Sequence, residues 1–410
     1  MTAPVPESEA TGGTAPHSFP MLRGCPFAPP EEYARLRKDE PLARAVLPTG
    51  KEVWLATRYE DVRELLSDPR ISADIRHPSF PAFSQAEHDI GAKLRPFLRT
   101  DAPDHTRYRK MLQPEFTLRK ARALRPAIQA IADGLIDDML ALPAPVDFIT
   151  SYANAMATSV ICVLLGIPAS DLEFFRDVTR VSGSRTSAPE QVADALNSLF
   201  GLISELIQRR RMEPADDLLS QLVTEHLIPG HITHQELLSV IGITINGGRV
   251  SSTSMIALST LKLLQQPELA EQLRCTPELL PAAIEEMLRV TSVSDALPAR
   301  VATADIELPS GGTIPAGDGV FGLLAAANHD PDVFPDPERV DFQRANNRHL
   351  AFGHGSHLCV GQNVARVEVE IALETLLRRV PTLRLAVPAE EVELMPDAHT
   401  FGVERMPVAW

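Results

Sequence analysis

Apolar residues recur at intervals of three and four along most of the chain, the spacing of one face of a helix. The pattern predicts helices over 30–38, 58–67, 105–112, 117–141, 149–165, 169–181, 189–210, 216–226, 234–265, 267–274, 278–290 and 361–378. Short β-type runs predict strands over 43–47, 52–56, 299–308, 313–321 and 382–386. Sheet is therefore confined to the beginning and the last third of a mostly helical chain. One helix differs from the rest. Thr233-His234-Gln235-Glu236 has the form of a capping box, with Thr233 as N-cap, and no proline follows until Pro267. A helix over 234–265 would be roughly 45–50 Å long at about 1.5 Å per residue. Its middle, SVIGITINGG, has almost no charged face, as expected of a helix that crosses a protein interior.

Composition narrows the class. The 410 residues are 44% hydrophobic and 23% charged, ordinary values for a globular chain and wrong for a disordered, collagen-like or disulfide-stapled one. With 39 basic against 54 acidic residues the net charge is −15, which opposes nucleic-acid binding. Aromatics are only 5%, so the core must be built from Leu, Ala, Val and Ile. The opening MTAPVPESEATGGTAPHSFP has neither a basic start nor an apolar run, and reads as a flexible tail over 1–20 rather than a signal peptide. With no internal repeat and no Gly/Ser linker, residues 21–410 read as one large α-rich domain. The most apolar stretch, Ala157 to Ile167, stops at Pro168, well short of the roughly 20 residues that span a bilayer. The expectation is a cytoplasmic protein with no membrane contact.

Four cysteines, Cys25, Cys162, Cys275 and Cys359, occur in no C-x-x-C spacing. Cys162 lies in the apolar run SVICVLLG and reads as a core residue. His231 and His234, at a helix start, read as a solvated terminus rather than a metal pair. Cys359 stands apart. It sits in Phe352-Gly353-His354-Gly355-Ser356-His357-Leu358-Cys359-Val360-Gly361, a Gly-rich turn that leads into a helix near Gly361. Free N–H groups at such a helix start can point at the sulfur and lower its pKa. A buried structural cysteine is one reading, and a thiolate ligand is the other.

The second reading gains from the rest of the chain. Phe352-x-x-Gly355-x-His357-x-Cys359-x-Gly361 resembles the haem-binding signature of the cytochrome P-450 family. Glu286-Met287-Leu288-Arg289 resembles its E-x-x-R motif, and Pro337-Glu338-Arg339 follows in the right order, with Arg339 as the third member of a Glu–Arg–Arg network. His105-Thr106-Arg107-Tyr108-Arg109 resembles its H-x-x-x-R segment. The resemblance implies a fold that is mostly α with small β-sheets, holding haem between the long central helix and the cysteine-loop helix. It implies haem b with Cys359 as the axial ligand to iron, a thiolate arrangement that favours O–O cleavage. Phe352, Gly353, His357 and Gly361 would line that loop. His105, Arg109, Arg300 and His357 would hold the propionates, for which Arg is suited by its forked donors. Electrons would come from a separate ferredoxin and ferredoxin reductase, because the chain has no flavin or nicotinamide domain.

In that family the central helix usually carries Ala/Gly-Gly-x-Asp/Glu-Thr, whose acid–alcohol pair helps deliver protons. Here the stretch is Gly247-Gly248-Arg249-Val250-Ser251-Ser252, so Val250 replaces the acid and Ser251 the threonine. The glycine pair costs the helix about 2 kcal/mol against Ala. A bend or bulge that makes room for dioxygen would account for it, and so would close helix packing. A closer resemblance, in IGITINGGRVSSTS and the closing ERMPVAW among other segments, is to bacterial enzymes that oxidise cyclodipeptides, the mycocyclosin synthase group. It implies hydrogen abstraction and radical coupling of a diketopiperazine, one containing tryptophan in preference to the bis-tyrosine kind. Asn246, Val250, Ser294, His399 and Thr400 are the expected substrate contacts, and Gly247, Gly248, Ser251 and Ser252 the oxygen site. The alternatives are a conventional monooxygenase that hydroxylates another small natural product, and a haem protein that only binds ligands or senses gas.

Overall fold

The computed structural model describes residues 16–182, 188–296, 298–395 and 400–410. Seven of its helices position the site: α1 (Gln85–Leu94), α2 (Asp104–Leu112), α3 (Arg125–Ala141), α4 (Asn154–Leu165), α5 (His234–Gln265), α6 (Leu280–Thr291) and α7 (Gln362–Arg379). The long helix α5 has the bounds that its cap and its proline predict. Thr233 Oγ1 accepts from the Glu236 amide at 3.2 Å, and Glu236 Oε2 accepts from the Thr233 amide at 2.8 Å. Glu236 does more than cap. Its carboxylate also accepts from Tyr108 at 2.6 Å and from Arg107 at 2.5 Å, which ties α2 to the start of α5. From Ser252 to Leu261 every residue of α5 is buried. Helix α4, buried on nearly all sides, lies along it, and α7 packs against both α5 and α3.

The main sheet has six strands: β1 (His17–Ser18), β2 (Leu42–Val46), β3 (Glu52–Ala56), β4 (Ile71–Ser72), β5 (Ala299–Ala302) and β6 (Gly319–Gly322), in the order β1-β2-β3-β6-β5-β4. The parallel pairing of β3 with β6, Val53 opposite Gly319, brings the N-terminal region onto the last third of the chain. Several sequence expectations need correction. The tail expected over 1–20 ends sooner, since β1 pairs with β2 and Phe19 is buried against Phe321; residues 1–15 lie outside the described residues. The helix expected over 117–141 is broken at Leu124, ahead of Pro126. The strands expected over 299–308 and 313–321 each split into two short pieces. Helix α1 and the hairpin Glu393–Met395/Gly402–Arg405 are not in the sequence reading at all.

The Glu–Arg–Arg network exists, with a different third member. Arg289 donates to Glu286 at 2.9 and 2.8 Å, and both side chains are wholly buried. Arg344, not Arg339, completes it, donating to Glu286 at 3.0 and 3.1 Å. Arg339 offers only its carbonyl, which accepts from Arg289 and Arg344. The chain turns after Asp336, whose φ is +48° and whose carbonyl accepts from the Arg339 amide at 3.0 Å.

Candidate functional site

The cysteine loop is shaped by glycine where no other residue fits. Gly355 has φ +68°, and a Cβ there would lie 2.1 Å from the Leu66 carbonyl oxygen. The Cys359 amide donates to Phe352 at 2.9 Å and closes the turn. Arg109 of α2 donates to the Leu358 carbonyl at 2.6 Å and pins the loop from outside. The Arg366 guanidinium lies 4.5 Å over the Phe352 ring and is paired with Glu285. Burial pushes the Cys359 thiol up, while the Gly361 and Gln362 amides at the start of α7, with Arg109 and Arg366, act the other way. The expected lowering by the helix start is therefore present but is outweighed by burial.

Next to the loop, basic groups gather, and the charge of Asp101 reaches both His105 and Arg300. The His105 and His357 rings stack at 3.9 Å. Burial, with Arg109 beside it, pushes His105 down to about 4, and burial together with Arg300 and His105 pushes His357 down to about 2. Both rings are thus neutral donors. Arg300, on β5, is buried with Arg99 next to it, and this holds its guanidinium down to about 9. Its hydrogen bond is to the Ala299 carbonyl at 2.8 Å. Among the described residues neither Arg109 nor Arg300 forms an ion pair, and His105 Nε2 has no partner. Donors without an ion pair, with His105 and Arg300 buried among them, fit a ligand that brings carboxylates. Arg99 is absent from the sequence reading because it stands in a short 3-10 turn, Phe97–Arg99, that no motif marks.

These groups border a cavity of about 610 Å³. The middle of α5 forms its roof, with Asn246, Gly247, Gly248, Val250, Ser251 and Ser252 all lining it, as do Ser294 and Thr400. His399 lies outside the described residues. The C-terminal hairpin brings Thr400 there. It lies so close to α5 that a Cβ on Gly402 would stand 2.3 Å from Ser254 Oγ. The glycine pair divides its work. A Cβ on Gly248 would come within 2.3 Å of Ile161 on α4, which is close helix packing, whereas Gly247 has open space before it. Helix α5 is continuous here, and of the two readings of the glycine pair close packing accounts for Gly248. Ser251 Oγ donates to the Gly247 carbonyl at 2.5 Å, so its proton is engaged within the helix. Ile90 and Leu94 of α1, with Leu164, Ile243 and Val293, give the remaining wall its apolar character.

The comparisons with known proteins agree with this geometry. Residues 277–403 match the family model for cytochrome P-450. Pentalenic acid synthase of Streptomyces avermitilis is 42% identical over 400 residues, 98% of this chain and 99% of its own length. The chain belongs to the cytochrome P-450 family. The 20-oxo-5-O-mycaminosyltylactone 23-monooxygenase of Streptomyces fradiae is 41% identical over 98% of this chain and 95% of its own. A solved cytochrome P-450 oxidase in the coelibactin siderophore biosynthetic pathway of Streptomyces coelicolor superposes with a TM-score of 0.91 at 62% identity, covering 96% of this chain and 100% of that one.

Cytochrome P-450 enzymes are haem-thiolate oxidoreductases, and haem with its iron is the cofactor of this chain. The residues fit that group: a half-buried thiol with two amides turned toward it, and beside it donors without an ion pair. No helix among the described residues is long and apolar enough to cross a membrane. None of the relatives named above bears the name of a cyclodipeptide-oxidising enzyme.

Proposed function

We propose that this cytochrome P-450 is a monooxygenase that inserts one oxygen atom into a small, largely apolar natural product. The observation that supports this reading most directly is the 41%-identical relative, matched over nearly its whole length and named a monooxygenase. With haem bound, the cofactor supplies the reductive activation of dioxygen. The chain does the rest. Cys359 presents its sulfur to the iron. Arg109 and Arg300 would meet the charge of the propionates, and His105 and His357 would donate hydrogen bonds to them. Gly247 leaves room under α5, and the apolar wall of α1 and α4 holds the substrate and displaces water. Electrons arrive one at a time from a ferredoxin.

The substrate class is open to direct test. The 62%-identical oxidase places intermediates of siderophore biosynthesis at the head of a panel, with macrolide-type compounds and cyclodipeptides beside them. Binding is read as a shift of the Soret band of the holoenzyme, and turnover with a plant-type ferredoxin and its reductase is run under ¹⁸O₂. One labelled oxygen in the product is the expected result. Loss of two hydrogens without label would replace this reading with dehydrogenative coupling of a cyclodipeptide, the reading that Val250 in the acid's place favours.

A further inference from the structure

Two stretches of the cavity wall come from distant parts of the chain. Val293 and Ser294 follow the end of α6, and Thr400 comes just before the strand Gly402–Arg405. A main-chain bond joins them, from the Phe401 amide to the Val293 carbonyl at 2.7 Å. The turn after α6 needs support. Ser292 takes up left-handed backbone, with φ +40°, which is strained for a residue that has a side chain. The last carbonyls of α6 have no partner within the helix. Arg23 supplies one. It stands in the irregular segment between β1 and the helix Glu31–Asp39 and is 9% exposed. It donates to the Thr291 carbonyl at 2.6 Å and to the Ser292 carbonyl at 2.9 Å. The same guanidinium lies 4.8 Å over the Phe401 ring. Other groups also anchor the turn: Asn328 donates to Ser292 Oγ at 2.8 Å, and Asp295 accepts from Tyr33 at 2.9 Å and from the Ala325 amide at 2.7 Å. Arg23 adds a hold on Phe401, through the face of its guanidinium.

We propose that Arg23 is a positioning residue for the substrate. It fastens the turn after α6 to the C-terminal hairpin, so that Ser294 and Thr400 meet a ligand in one fixed arrangement. Arg23 does not itself line the cavity. It acts through Thr291, Ser292 and Phe401, and selectivity among substrates thereby depends on the segment ahead of the first long helix. A lysine could satisfy one carbonyl as a point charge, but it could not fork between two and lie flat on the ring. The inference rests on the reading that this cavity receives the substrate, and it holds whichever oxidation follows.

The test uses the haem-loaded enzyme and two azoles that bind haem iron and shift its Soret band. Imidazole is too small to need the wall, whereas clotrimazole is bulky enough to press on it. A loosened wall must be ordered when a ligand binds, at a cost in affinity. In Arg23→Met the dissociation constant of clotrimazole should therefore rise about tenfold, and that of imidazole less than about twofold. Arg23→Lys should recover only part of the difference. Hydrogen exchange at the Phe401 amide, read by mass spectrometry with fragmentation, should quicken about tenfold or more in Arg23→Met, while amides from Ser252 to Leu261 keep their protection. Met139→Ala opens a void in α3 and separates positioning from stability. It should lower the melting temperature and leave both the azole ratio and the Phe401 exchange as in wild type. Phe401→Leu removes the ring and keeps an apolar side chain, so it answers the question if Arg23→Met fails to fold. It should show the same two effects, smaller in size. A wild-type azole ratio or wild-type Phe401 exchange in the folded variant overturns the proposal, and so does an equal change in Met139→Ala. Failure of the monooxygenase reading would appear in the oxygen label and leave both measurements standing.

Discussion

Burial works against a charge at both Cys359 and Arg300, and each would gain a counter-charge with haem bound. Burial resists ionisation of the thiol, and a coordinated metal removes its proton outright. Cys359→His should therefore leave a chain that still takes up haem through the propionate donors but loses thiolate character. The check is the reduced carbon monoxide adduct, which should lose its red-shifted band. A variant that kept the band would place the ligand elsewhere. Arg300 makes the converse argument. A buried guanidinium without an ion pair burdens the protein when no anion is bound. Arg300→Leu should raise the melting temperature of haem-stripped protein. It should also weaken haem binding by about 1.5–3 kcal/mol, the worth of a hydrogen bond to a charged group, seen as faster haem transfer to an acceptor protein. Equal losses of stability with and without haem would mean that Arg300 serves packing alone.

At the scale of elements, the Glu286 network joins α6 to the chain that leads into the cysteine loop. Its members are not equivalent. Arg289→Ala leaves a buried carboxylate short of its partner and should cost about 3–5 kcal/mol, enough to lose most folded holoprotein. Arg344→Ala should also destabilise clearly, whereas Arg339→Ala, whose side chain is outside the network, should stay within about 0.5 kcal/mol. Haem content and melting temperature of the three variants rank them, and an Arg339→Ala loss equal to that of Arg344→Ala would contradict the assignment. The glycine pair gives a second test. Gly248→Ala must push a methyl into Ile161 and should destabilise despite better helix propensity. Gly247→Ala meets open space and should gain up to about 1 kcal/mol, with ligand affinity rather than folding as its casualty. Where a local signal exists, the sequence is readable. The Thr233 box and Pro267 bound α5, and the glycines and Cys359 mark the loop. The rest depends on distant pairings that local patterns do not carry. Arg344 beside Glu286, Arg99 beside Arg300 and Glu368 beneath Ser252 are separated by tens to hundreds of residues, and each meeting is made by how whole elements pack.

Across the whole molecule, three buried or bridging glutamates contribute to the pH dependence of stability, and they pull in different directions. Glu236 joins α2 to α5: burial acts to raise it, but hydrogen bonds from Tyr108, Thr233 and Arg107 outweigh that and hold it down to about 2. Glu285 joins α6 to α7: burial again acts upward, and Arg366 and His349 bring it down to about 2. For both, the unfolded chain binds more protons between about pH 2 and an unfolded value of about 4.3. Their contribution is complete above that range and is lost as pH falls through it. Glu368 has the opposite sign. Its folded value of about 8 means that the folded state holds a proton the unfolded chain has released, so stability declines as pH climbs from about 4.3 toward 8. Melting curves of the holoenzyme should therefore steepen downward below about pH 4 in wild type, and less so in Glu236→Gln and Glu285→Gln. The difference between Glu368→Gln and wild type should be small at pH 5, grow in favour of the variant up to pH 8, and then level off. A difference that is flat from pH 5 to 9 would show that Glu368 is already charged in the folded protein.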